Sequence, residues 1–235
     1  INFYNSIKTG EITSEVARSF LEREGSILQE KGQEHYYLIR ERFNKTKDSL
    51  DFLFLNRACF NGVMRFNRKG FFNVPFGHKP ARFAKAYVTK IRNQIEKVER
   101  ATKIFDWQFV CQDFRQTISE KNSTDWIYCD PPYFGRHIDY FNSWNERDEA
   151  DLFEALKNTR AKFILSTWHG NRFRENQELI KYKKLFEVTT KEHFYHVGAS
   201  EHNRNSMTEA IVLNFSIAKS ETAQMTFQKQ LATNL

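Results

Sequence analysis

Trp126-Ile127-Tyr128-Cys129-Asp130-Pro131-Pro132-Tyr133 is an apolar run that stops on an acid, two prolines and an aromatic ring. The first four residues have strand composition, so Asp130 falls at a strand's carboxyl end, where open α/β sheets bind their ligands. Each proline fixes φ and exposes a carbonyl that neither helix nor ladder uses. The Asp130 carboxylate and a proline carbonyl can both accept from an amino group, and Tyr133 offers a ring for stacking. The octet therefore reads as a holder for a planar base bearing an NH2. A plainer reading stays open on these residues alone, in which an acid-Pro-Pro-aromatic turn merely ends the strand.

Trp107–Cys111, Phe163–Thr167, Leu185–Thr190 or His193–Val197, and Thr208–Phe215 also read as strands, with helix candidates at 114–119, 147–158 and 171–181. That alternation predicts an α/β fold with a largely parallel sheet covered by helices. Only the polar loop Gly198–Ser206 separates the last two strands, which predicts an antiparallel hairpin at the sheet edge. Upstream, Val16, Phe20, Leu21, Ile27 and Leu28 predict a helix interrupted near Gly25. Tyr36, Ile39 and Phe43, then Leu50, Leu53, Phe54 and Ala58, predict two more helices. The expected division is a helical and β-hairpin recognition region over 1–103, a catalytic α/β region over 104–215 and a frayed polar tail over 216–235.

The net charge of +7 is unevenly spread. Arg57 to Lys103 holds twelve Lys or Arg against Glu96 and Glu99, a net +10, so the rest of the chain carries −3. Val88, Ile91, Ile95 and Val98 keep helical spacing, and the charges from Lys90 to Lys103 read as a solvated helix face as well as a nucleic-acid surface. That explanation does not reach Arg57 to Lys79. There Arg57, Asn61, Arg65, Asn67, Arg68, Lys69 and Lys79 interleave with Phe60, Phe66, Phe71, Phe72 and Phe76, with turn glycines at 62, 70 and 77. The pattern predicts a β-hairpin around Asn67–Gly70, which would fit a major groove with Arg65 on guanine and Val63 or Pro75 on a thymine methyl. Core packing is the competing role for an aromatic hairpin.

No run of about 18 apolar residues is present for a membrane span. The start Ile1-Asn2-Phe3-Tyr4, which has no methionine, lacks the regions of a signal peptide, so the cytoplasm is expected. Cys59, Cys111 and Cys129 sit far apart in apolar strings and read as reduced thiols rather than disulfides or zinc ligands. His193, His196 and His202 could be grouped as a metal cluster, but solvated or core histidines fit better and no metal is expected. Phe134 and the stretch Arg136–Trp144 are candidates for a flap over the motif.

The order of these features resembles the Dam-type DNA adenine-N6 methyltransferases. The resemblance rests on Asn61-Gly62 ahead of Arg65, Phe72-Asn73-Val74-Pro75-Phe76-Gly77, Gln112-Asp113-Phe114, the Asp-Pro-Pro-Tyr motif and the final strand Met207–Phe215. It spans residue 1 to about 215. It implies a Rossmann-like methyltransferase sheet that uses S-adenosylmethionine and acts on double-stranded DNA, with Asp130, Pro131, Pro132 and Tyr133 as catalytic residues. Asp113, Phe114 and Asp130 would contribute to the cofactor site, although a helix N-cap is nearly as good a role for Asp113. Arg57, Asn61, Val63, Arg65, Asn67, Arg68, Lys69, Pro75 and Lys79 would contact DNA, at GATC or a related site, with Val63 where the family often has leucine. A restriction-modification context belongs to the same family picture.

One departure stands out. Ile1–Lys8 is similar to the stretch that directly follows the family's ribose-binding acid, and the nine glycines offer no G-x-G. The family's lysine-bearing start and Phe-x-Gly-Gly loop, which hold the cofactor, are not matched. The sheet is therefore expected to be incomplete at its amino-terminal side, and the isolated chain to be inactive. It would be a clipped enzyme or one partner of a split enzyme with a complementary amino-terminal segment. The rival is a DNA-binding fragment that transfers no methyl group.

Overall fold

A computed structural model of the chain describes residues 1–133, 144–171, 174–194 and 206–216. These form two compact units, 1–112 and 113–216. Of the proposed flap, Phe134 and Arg136–Ser143 lie outside the described residues while Trp144 lies within them; His196, His202 and the tail beyond Ser216 also lie outside.

The first unit is helical: α1 Asn2–Lys8, α2 Ser14–Lys31, α3 Gln33–Thr46, α4 Ser49–Ala58 and α5 Lys85–Ile104. Thr13 caps α2 by accepting the Val16 N–H at 3.2 Å, and Asp48 caps α4 by accepting from Leu50 and Asp51 at 2.9 Å. Both supply the side-chain acceptors that first-turn amides lack. The apolar periodicity becomes one core in which Phe20, Leu21, Leu28, Tyr36, Ile39, Phe43 and Phe54 meet Phe72, Val74 and Phe76 from the loop after α4.

The predicted break at Gly25 does not occur, because α2 runs through it. A Cβ at Gly25 would stand 2.7 Å from Phe83 Cβ, so glycine is there to admit the Phe83 ring, not to end the helix. The strand expected at Trp107–Cys111 is also absent. Its backbone is met by side chains of α1 rather than by a neighbouring strand: Lys8 Nζ donates to the Trp107 carbonyl at 2.6 Å and Asn5 Nδ2 to that of Phe109 at 3.0 Å.

The second unit contains α6 Phe114–Ser119, β1 Trp126–Cys129, α7 Glu146–Asn158, β2 Lys162–Asn171, β3 Arg174–Glu175, α8 Leu179–Lys183, β4 Glu187–Phe194 and β5 Ser206–Leu213. The strand order is β1-β2-β5-β4, with β3 paired to β2. The sheet is mixed, not largely parallel: β1 and β2 are parallel, while β2–β5, β4–β5 and β2–β3 are antiparallel. α7 lies in the connection between the parallel strands, which need a long crossover. The predicted edge hairpin is present as β4 and β5.

A helix over 171–181 is reduced to the five residues of α8. β2 runs on to Asn171 and folds back, pairing Gly170 with Glu175 and Asn171 with Arg174. Buried Asn176 fixes the return, donating through Nδ2 to the Trp168 carbonyl at 2.9 Å and through its backbone N–H to that of His169 at 2.8 Å. Leu152, Leu156, Phe163, Leu165, Tyr182, Ala210 and Val212 form the core of this unit.

Candidate active site and nucleic-acid interface

In the second unit β1 alternates about its pleat: Ile127 and Cys129 pack into the core, while Trp126 and Tyr128 are exposed. The next residue, Asp130, is exposed at the strand's carboxyl end, and Pro131, Pro132 and Tyr133 are half-buried without regular structure. Pairing of Cys129 with Leu165 on parallel β2 sets the strand end from which the motif leaves. The Tyr133 hydroxyl donates to Glu209 Oε1 at 3.5 Å, and Glu209 lies opposite Trp168 in the β2–β5 ladder. Burial pushes the Cys129 thiol up to about 11, so it is a neutral neighbour of Asp130 at pH 7.

Asp113 is the N-cap of α6, accepting the Arg115 N–H at 2.8 Å. Its carboxylate also pairs with Arg115 Nη1 at 3.1 Å. Arg115 then spans to α7, donating to Asp148 at 2.6 Å and Asp151 at 2.8 Å. The Arg115 hydrogen bond is the main cause that holds the Asp148 carboxyl below the usual carboxylate range. Phe114 is half-buried with the Arg115 guanidinium 4.4 Å over its ring and Trp144 at 5.3 Å. Trp144 Nε1 donates to buried Glu149 at 2.8 Å, and burial raises the Glu149 carboxyl. Sequence reasoning named Asp113 and Phe114 but missed Arg115. An Asp two residues before an Arg gives no signal until α7 supplies the other two carboxylates.

In the first unit, the segment after α4 is a looped hairpin of isolated bridges rather than two regular strands. Phe66 faces Phe72 and Cys59 faces Phe76. Regular pairing is interrupted because a 3-10 turn at Phe60–Gly62, with Asn61 at φ 53°, inserts residues between the bridges. The tip is closed by Asn67, whose N–H donates to the Phe71 carbonyl and whose Oδ1 accepts from the Lys69 and Phe71 N–H groups.

Alternation still holds in the returning arm: Phe72, Val74 and Phe76 are buried, and Phe71, Asn73 and Pro75 are exposed. In the outgoing arm Asn61, Val63 and Arg65 are exposed, whereas Met64 and Phe66 pack on the core. The period of two therefore collects Asn61, Val63, Arg65 and Pro75 on solvent-facing positions. Arg68, Lys69 and Lys79 are exposed as well.

The side chains of three predicted DNA contacts have partners within the chain, Arg65 among them with Nε donating to Asn73 Oδ1 at 3.3 Å. Asn67 organises the turn, and Arg57 Nε donates to the Arg82 carbonyl at 2.8 Å while Arg82 Nη1 returns to the Cys59 carbonyl at 3.2 Å. On α5, Arg92 is bound to Glu15 and Glu96, and Arg100 to Glu96. Lys85 and Lys90 are exposed.

Among the described residues, no group of three His, Cys, Asp or Glu side chains could hold a metal ion, and no helix is long and apolar enough to cross a membrane. The model of the D12 class N6 adenine-specific DNA methyltransferase family matches residues 1–203. The chain is similar to the type II methyltransferase M.FokI of Planomicrobium okeanokoites, at 29% identity over 199 residues, covering 80% of this chain and 30% of that protein. It is similar to a DNA adenine methylase of Vibrio cholerae, at 39% identity over 140 residues, 57% of this chain and 45% of the relative. The type II methyltransferase M.MjaIII of Methanocaldococcus jannaschii is 32% identical over 157 residues, 60% of this chain and 52% of the relative. The chain thus spans between about a third and a half of the length of these relatives.

Proposed function

The chain belongs to the D12 class N6 adenine-specific DNA methyltransferases, and we propose that it carries the target-reading loop and methyl-acceptor motif of an enzyme acting at GATC or a related site. The observation that supports this most is Asp130-Pro131-Pro132-Tyr133 leaving the carboxyl end of β1 beside a parallel partner, the crevice position of open α/β sheets. Adenine's amine is a poor nucleophile because its lone pair is delocalised into the ring. Asp130 and the Pro131 carbonyl would accept from that amine and favour the tetrahedral nitrogen, which is electrostatic preorganisation. Tyr133 would stack on the adenine once it leaves the duplex, since a paired base cannot reach the site. Neutral Cys129 places no second negative charge beside Asp130.

S-adenosylmethionine, when bound, supplies the sulfonium methyl. The residues present fit its adenine side: Phe114 offers a half-buried ring, and Asp113 a carboxylate with acceptor capacity beyond its cap and Arg115 contacts. Arg115, anchored to Asp148 and Asp151 of α7, would hold both residues in place. We read the sheet as Rossmann-like, and assign to this chain only that adenine side, because its glycines contain no G-x-G. On DNA, Val63 and Pro75 would meet thymine methyls, Asn61 would lie in the groove, and Arg68, Lys69 and Lys79 would hold phosphates, with Arg57 and Asn67 shaping the loop.

The test is mass-spectrometric detection of N6-methyladenine in a duplex with one GATC site, with the family's glycine-rich amino-terminal segment supplied in trans. Methylation confined to that adenine, and lost when hypoxanthine replaces it, supports the reading. DNA binding with no transfer in the presence of that segment supports the rival of a DNA-binding fragment.

A further inference from the structure

We propose that Asn73 is a positioning residue for Arg65, fixing the guanidinium plane that reads a guanine; this rests on the reading of the loop as the sequence reader. The two residues lie opposite each other. Phe66 and Phe72 form an antiparallel bridge, and one step away from the tip the Asn73 N–H donates to the Arg65 carbonyl at 3.3 Å. Both side chains stand on the exposed side, because Phe72 and Val74 flank Asn73 in the core and Met64 and Phe66 flank Arg65 against it. There Arg65 Nε donates to Asn73 Oδ1 at 3.3 Å.

The floor under this pair is tied down from α3. Asn44 mimics a strand edge, accepting the Phe72 N–H at 2.8 Å and donating to the Phe72 carbonyl at 3.1 Å. The Val74 carbonyl takes the Tyr36 hydroxyl at 2.8 Å and Arg40 Nη1 at 3.3 Å. Asn73 is thus an exposed side chain on a fixed backbone, bracketed by two anchored residues. An arginine side chain loses several rotamers when it docks on a base edge. Holding Nε beforehand orients the guanidinium, whose fork geometry matches guanine O6 and N7. A neutral amide accepts without placing a negative charge among DNA phosphates, which explains why the acceptor is Asn and not Asp.

The proposal is tested by fluorescence anisotropy of the protein on a GATC duplex and on duplexes with one base pair changed, at several salt concentrations, with thermal melts confirming that each variant folds. Arg65→Ala should reduce discrimination at one base pair by about 5- to 150-fold. Asn73→Ala should reduce it at that same pair by about 2- to 10-fold, the scale of one hydrogen bond, with an unchanged salt slope. Asn73→Asp keeps the acceptor and should keep the discrimination while weakening every duplex. Full discrimination in Asn73→Ala beside a loss in Arg65→Ala would overturn the positioning role and leave the loop as reader. Full discrimination in Arg65→Ala would overturn both, and a folded Asn73→Asp that loses discrimination would overturn the positioning role.

Discussion

Cys129 and Asp130 are neighbours with opposite surroundings, the one packed into the core and the other exposed. Burial raises the thiol to about 11, and the thiolate is the reactive form. Alkylation of folded protein at pH 8 should therefore be slow at Cys129, fast at exposed Cys111, and should accelerate at Cys129 as pH approaches 11. Peptide mapping after iodoacetamide treatment checks this, and rapid Cys129 labelling at pH 8 would contradict it. The composition of the Asp-Pro-Pro-Tyr motif was legible because acid, proline and ring each have a chemistry visible in one letter. Arg115 was not, since its three carboxylates come from two helices, and neither was Asn73, whose partner is set by the Phe66–Phe72 register.

Glycine at 25 looks like a helix break by composition and is a packing contact by geometry. Gly25→Ala should gain about 1 kcal/mol of helix propensity yet lose about 1–3 kcal/mol to the overpacked Phe83 ring, for a net destabilisation read by urea unfolding. A stabilised variant would show that Phe83 can move aside. Glu149 gives the second unit a pH signature. Burial raises its folded pKa, so its contribution is full below the unfolded value of about 4.3 and is lost as pH rises through the raised folded value. Glu149→Gln, which keeps an acceptor for Trp144, should therefore raise the melting temperature at pH 8 and not at pH 4. Equal melting temperatures at pH 8 would count against burial as the cause.

Helices α2 to α5 and strands β1, β2 and β5 were readable because their apolar periods match the faces they bury. The mixed strand directions of the sheet were not, since strand direction depends on which connection crosses over, and the alternation of segments does not specify that. The strand at 107–111 failed for a related reason: its alternation is real, but side chains of α1 take the carbonyls of Trp107 and Phe109.

The residues proposed to carry function fall in two units with separate cores: the basic loop in one, Asp113, Phe114 and the Asp-Pro-Pro-Tyr motif in the other. Of the twelve cations from Arg57 to Lys103, Arg92 and Arg100 pair with Glu96, whereas Lys90 is exposed and is proposed as a phosphate contact. Lys90→Ala should weaken cognate and mismatched duplexes alike and lower the salt slope by about one. Anisotropy titrations over a salt series decide it, and a change confined to one sequence would count against that assignment.

The role of Asp130 is read from the single-turnover rate of N6-methyladenine formation on a GATC duplex with the family's cofactor-loop segment present in trans. Loss of an acceptor used as the amine becomes tetrahedral should cost about 3–4 kcal/mol. Asp130→Ala should therefore be slower by about 10²- to 10³-fold, with duplex affinity nearly unchanged. A rate close to wild type in Asp130→Ala would rule out Asp130 as the acceptor for the amine.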